Sequence, residues 1–193
     1  MSTHYGRVPL LLDNMEYLDY SKWGVHGSAN GTVTASSGIL TINNTSANAA
    51  LYNGIYSLDT FPVGTAISVR SRGVTGRHHA LIGFGASPYY PFPHAGTVPG
   101  CTWYSRADIQ TSTLSWRSES GAVGSYDTVT ENLTNFQVFK MIRTSSSIVE
   151  FYRDNILEYT ATGLVLANDY SVYVSADGFM NPNTMYVDWI SVA

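Results

Sequence analysis

The side chains of this chain that are best suited to chemistry lie near its middle and at its end. Tyr89, Tyr90, Phe92 and His94 fall in ASPYYPFPHAGTVPG, Ala86 to Gly100, which holds four of the seven prolines and reads as a stiffened loop, not a strand. Trp103, Tyr104, Arg106 and Trp116 follow on two candidate strands. Aromatic faces stack on the C–H patches of sugars and planar polar groups bind their hydroxyls, so this set fits recognition of a glycan. The loop aromatics fit packing between copies of the chain as well. Trp103 and Trp116 suit a core as much as a surface, and alternation puts Tyr104 and Arg106 on the face opposite Trp103.

Nucleophilic and acid–base patterns are sparse. Arg77-His78-His79 has the residue types of a lyase site, in which an arginine neutralises a uronic acid and a histidine or tyrosine removes a proton. Successive side chains on a strand face opposite ways, so His78 and His79 do not act there as a pair. Cys101 is the single cysteine, which excludes an intrachain disulfide and a thiolate zinc site, and it reads as a small buried hydrophobe. GFGASPYYPFPHAG has neither the lysine nor the following helix of a phosphate loop. One carboxylate is out of place: Asp188 interrupts the apolar, β-branched and aromatic run of NTMYVDWISVA, Asn183 to Ala193. A buried carboxylate must be hydrogen-bonded, paired or bound to a metal.

Composition limits the partners. The net charge is −4, lysine occurs only at 22 and 140, and the best basic cluster is Arg70, Arg72 and Arg77, which argues against nucleic acid. Arg70 and Arg72, two apart on a strand, read as a solvated face. No apolar run approaches the length of a membrane helix and the N-terminus lacks signal-peptide features, so neither membrane insertion nor a leader is expected. Sequons at Asn30, Asn43, Asn44 and Asn132 match chance in a chain this rich in Asn, Ser and Thr.

The elements that would position these residues are strands. Helical periodicity is almost absent, and 193 residues suit one domain, 1–193, with a sizeable core. Alternation predicts strands at Thr32–Ala35, Ile39–Asn43, Ala49–Tyr52, Thr65–Arg72, His79–Gly85, Cys101–Ala107, Thr113–Ser118, Phe136–Thr144, Ile148–Arg153, Ile156–Thr160, Tyr170–Ala176 and Thr184–Val192. Asp154-Asn155 between two of them suits a tight primed turn, making Phe136 to Thr160 a three-stranded meander. The class is all-β: a two-sheet antiparallel β-sandwich.

The order of LLLDNMEYLDYSKWGV, SSGILTI, HALIGFG, FQVFKMIRTSSSIVEFYRDNILEYTATGL and the terminal MYVDWISV resembles the concanavalin A-like lectin and glucanase superfamily, the LamG-like jelly rolls, over about residues 10 to 192. The resemblance implies a structural calcium ion held by Asp188 with carbonyls from Gly38 and from near Asp13. The alternative is that Asp188 accepts backbone N–H bonds from the N-terminal segment and clamps the chain ends. The superfamily's glucanases carry E-x-D-x-E on one strand; here no such pattern occurs, and His79–Gly85 and Cys101–Ala107 hold no carboxylate. The expectation is therefore a non-catalytic recognition or assembly module: a structural or adhesive surface protein of a virus or phage particle or of an extracellular filament. It would bind a glycan or copies of itself as a homo-oligomer, on a virion surface or outside a cell. A free carbohydrate-binding module, or a diverged glycoside hydrolase or polysaccharide lyase, is the alternative.

Overall fold

A computed structural model describes residues 11–27, 31–45, 52–73, 79–85, 100–108, 111–120, 123–130, 135–166, 168–177 and 183–193, with the backbone alone at 52, 79–81, 100–108, 111–120, 123–130, 177 and 183. Its strands are β1 (Leu11–Asp13), β2 (Trp23–His26), β3 (Gly31–Ser36), β4 (Ile39–Asn44), β5 (Tyr52–Phe61), β6 (Ala66–Gly73), β7 (His79–Gly85), β8 (Gly100–Asp108), β9 (Thr111–Ser120), β10 (Val123–Thr130), β11 (Gln137–Arg143), β12 (Ile148–Arg153), β13 (Ile156–Thr162), β14 (Tyr170–Asp177) and β15 (Asn183–Val192). No helix occurs among the described residues.

Alternation sorts the strands into two antiparallel sheets. The front sheet runs β10-β9-β8-β7-β14-β5-β2 and the back sheet β13-β12-β11-β6-β15-β4-β3, with β1 also on β15. Leu40, Ile42, Val69, Met141, Phe151, Val187 and Ile190 of the back sheet and Ile55, Ile82, Phe84, Val172 and Val174 of the front sheet belong to one buried core. The predicted turn at Asp154-Asn155 is present, with φ of 47° and 67°, and Ser37-Gly38 makes a second turn with φ of 53° and 74°. The predicted meander is β11-β12-β13.

The structure adds β1, β2, most of β5 and all of β10 to the expected strands. β1 and β2 are too short for a period, and β5 carries Asn53, Gly54 and Ser57 at buried positions, which hides its alternation. Between β1 and β2, Asp13 organises the chain. Its Oδ1 accepts the Met15 N–H at 3.0 Å and its Oδ2 accepts Trp23 Nε1–H at 2.8 Å. That turn holds Met15 at φ 57° and places its side chain in the core. Asp19 closes the next turn: its carboxylate accepts from the Ser21 hydroxyl and N–H, which hold it below the usual carboxylate range.

Arg143 joins the two layers. Its guanidinium is fully buried and donates to the carbonyls of Phe61 at 2.9 Å, Leu166 at 2.8 Å and Asn168 at 2.7 Å. It also lies over Tyr170, 4.7 Å from the ring centroid. A planar cation with five donors suits carbonyls converging from several directions.

Candidate functional site

On the front sheet the apolar side of β14 is Val172, Val174 and Ala176, so Ser171, Tyr173 and Ser175 alternate onto the outward face. His26 of the edge strand β2 reaches that face, and its Nε2 hydrogen-bonds Ser175 Oγ at 2.9 Å. The two meet across β5 at Gly54, the register partner of both. A methyl there would lie 2.6 Å from Ser175 Oγ, so the contact requires glycine. Tyr56 lies beside His26 at 6.3 Å between ring centroids, over Gly24, where a methyl would collide with its ring. Tyr173 lies along Gly85 in the same way. Ser175 and Tyr173 are buried, so Ser175 orients the His26 ring and is not an accessible nucleophile.

Register carries this face onward across β7, β8 and β9. Tyr173 is level with Gly83, Thr102 and Arg117, and Ser175 with Leu81, Tyr104 and Ser115. One step beyond the Ala176–Ala80 pair, the same register sets Asp177 level with His79, which pairs with Arg106 and through it with Thr113. Asp177, His79 and Arg106 thus take consecutive strands of one register row. The other parity contains the core residue Ile82, then Trp103, then Trp116. Tyr104 and Arg106 therefore share the register rows of Ser175 and Asp177, while Trp103 and Trp116 take the core parity. Cys101 is level with the buried Phe84. Tyr89, Tyr90, Phe92 and His94 lie outside the described residues, as do Arg77 and His78.

The residues tied to calcium lie on the back sheet. Asp188 sits where two residues of β15 oppose one of β6: the register shifts between Val187 and Trp189, and Trp189 pairs with Arg70. This bulge turns Asp188 out of the core, where it forms an ion pair with Arg70, the two side chains 30 % and 40 % exposed. Asp13 has both oxygens engaged by Met15 and Trp23. At Gly38 the nearest atoms to a notional Cβ are Asn14 O and Glu16 Oε1, each at 3.7 Å. Among the described residues no group of three or more His, Cys, Asp or Glu is placed to hold a metal ion.

His26, Tyr56, Tyr173, Ser175 and Asp177 were not singled out by the sequence. The alternation of Ser171, Tyr173, Ser175 and Asp177 against Val172, Val174 and Ala176 in YSVYVSAD was the available signal. His26 and Tyr56 carried none, because their strands were unrecognised.

No protein-family model and no curated protein matches the chain. Solved structures do. One, from work on prominent members of the human gut microbiota that express endo-acting O-glycanases to initiate mucin breakdown, superposes with a TM-score of 0.73 at 17 % identity, covering 96 % of this chain and 99 % of that one. The Bacillus licheniformis β-glucanase gives 0.71 at 13 %, covering 95 % and 97 %. A prokaryotic β-1,3-1,4-glucanase (lichenase) derived from a mouse hindgut metagenome gives 0.70 at 13 %, covering 94 % and 97 %. These neighbours correct the expectation of a non-catalytic viral or filament surface module. They are glycan-cleaving enzymes matched over nearly their whole length, and they point to a carbohydrate-active fold, so neither that module nor the exclusion of enzymatic activity stands. What is shared at such identities is the fold: the chain is a concanavalin A-like jelly roll, the antiparallel sandwich on which those glucanases are built.

Proposed function

We propose that the chain is a carbohydrate-active enzyme, a diverged glycoside hydrolase that holds a polysaccharide across the outward face of its front sheet. The observation that carries this reading is the row of Asp177, His79 and Arg106 beside the His26, Tyr56 and Tyr104 positions, on a jelly roll matched over most of its length by a β-glucanase and by a structure from work on O-glycanases. Tyr56 and Tyr104 supply stacking surface for sugar rings. Asp177 is the proposed acid–base group, in the register row of His79 and Arg106.

Hydrolysis with retention needs two carboxyl groups about 5 Å apart, and inversion needs a wider gap of roughly 6.5–9.5 Å. Asp108, the other carboxylate on neighbouring rows of β8, is two strands and one row from Asp177. Strand spacing and rise put their Cα positions about 12 Å apart. A structural calcium ion, as the resemblance implies it, would draw on carbonyls of Gly38 and of the segment near Asp13, and Asp188 would have to leave Arg70 to join them.

The test is release of reducing ends from a panel of β-glucans, mucin O-glycans and uronic acid polymers. Turnover lowered about 100-fold or more by Asp177→Asn supports the proposal. No turnover on any polymer, or turnover indifferent to Asp177→Asn, overturns it. The same row favours a second reading, a polysaccharide lyase in which Arg106 neutralises a uronate and His79 or Tyr104 takes the proton. Ultraviolet absorbance from a new double bond, without hydrolysis, would select that reading.

A further inference from the structure

The outward face of the back sheet carries a cluster that neither the core nor the front-sheet site uses. Phe136, Arg72 and Tyr186 stand side by side on three adjacent strands or their immediate extension: Tyr186 pairs with Arg72, and Phe136 directly precedes the Gln137–Ser71 pair. The Arg72 guanidinium lies 5.1 Å from the Phe136 ring centroid and 4.8 Å from that of Tyr186. Arg70 lies 4.7 Å from the same Phe136 ring but is neutralised by Asp188. Arg72 is exposed, and none of the ion pairs among the described residues includes it. Stacking occupies the faces of a guanidinium and leaves its in-plane N–H fork for a planar or tetrahedral anion. The β15 bulge brings the half-buried Trp189 beside the cluster, opposite Arg70.

We propose that Arg72, held between Phe136 and Tyr186, binds the carboxylate or sulfate groups of an acidic polysaccharide, with Tyr186 and Trp189 offering rings to its sugars. Charge complementarity selects that occupant. The chain carries −4 overall, yet this patch sets two guanidinium groups among aromatic rings against one carboxylate. Anion and sugar are recognised together there, as an uncharged glycan or a bare phosphate chain would not be. The site is on the opposite sheet from the proposed catalytic row and does not depend on it.

Affinity electrophoresis of the whole chain through gels holding polygalacturonate, dextran sulfate or a neutral β-glucan tests it without turnover, so its failure and that of the hydrolase reading are separable. Retardation is expected in an acidic gel, with Kd weakened about 10- to 100-fold by Arg72→Gln, the weight of one charge-assisted hydrogen-bonded contact. Tyr186→Leu, which leaves the charge and removes one stacking ring, should weaken the same retardation; a melting temperature equal to the parent's confirms folding of each variant. Retardation by polygalacturonate alone identifies a uronate, by dextran sulfate alone a sulfate ester, and by both a general anionic glycan. The proposal is overturned by no retardation in either acidic gel, by retardation that Arg72→Gln leaves unchanged, or by equal affinity for the neutral glucan.

Discussion

Asp13 is 6 % exposed with both carboxylate oxygens accepting N–H donors, whereas Asp188 keeps 30 % of its side chain in solvent beside Arg70. Among the described residues the costly buried carboxylate is therefore Asp13. Asp13→Asn presents an amide N–H₂ to one of two donors, either the Met15 N–H or the Trp23 indole, and should destabilise the fold by about 1–3 kcal/mol. Asp188→Ala removes a half-exposed ion pair, which is typically worth about 0–1 kcal/mol. Urea unfolding of both variants checks the order, and a larger loss at Asp188 than at Asp13 would reverse it. A chelator should leave the parent's melting temperature unchanged while Asp188 stays on Arg70. A fall would instead assign the carboxylate to bound calcium, because removing a ligand specific to the native state lowers stability.

At the scale of elements, β2, β5 and β14 form a unit because β5 offers Gly54 where its neighbours must touch. A methyl at Gly54 would press on Ser175 Oγ and on the β14 backbone, which cannot rotate away as a side chain could. Gly54→Ala should cost about 1–3 kcal/mol as strain and separate His26 from Ser175. The readouts are a lowered urea midpoint together with altered His26 ring resonances by NMR; an unshifted His26 would show that β5 yields without breaking the contact. The bulge of β15 is another local device with a wider effect. It lets an apolar strand place Asp188 and Trp189 outward in succession while Val187 and Ile190 stay buried.

Across the molecule, Arg143 holds the end of β5 and the segment leading into β14 to the end of β11. Arg143→Met fills similar volume but leaves the carbonyls of Phe61, Leu166 and Asn168 without these donors. The expected loss is at least about 3 kcal/mol, at roughly 1 kcal/mol or more per stranded buried group. For a chain of this length that lowers the melting temperature by roughly 6 °C or more, measurable by calorimetry. A melting temperature within a degree or two of the parent's would mean that water replaces the guanidinium.

The all-β class, the meander from Phe136 to Thr160 and the Asp154-Asn155 turn were legible in the amino-acid sequence, because alternation and turn chemistry act between residues close in the chain. β7 and β12 were legible to their end residues for the same reason. It did not reveal β5 as a full strand, since a strand buried on both faces with Asn53, Gly54 and Ser57 in it has no polar–apolar period to read. The partners across the sheets follow from packing. His26 meets Ser175 from 149 residues away through the register of three strands, and a one-residue bulge gave Asp188 to Arg70. Such meetings depend on which strands are neighbours and in what register, and that is settled by the packing of the whole sandwich, not by any local stretch of chain.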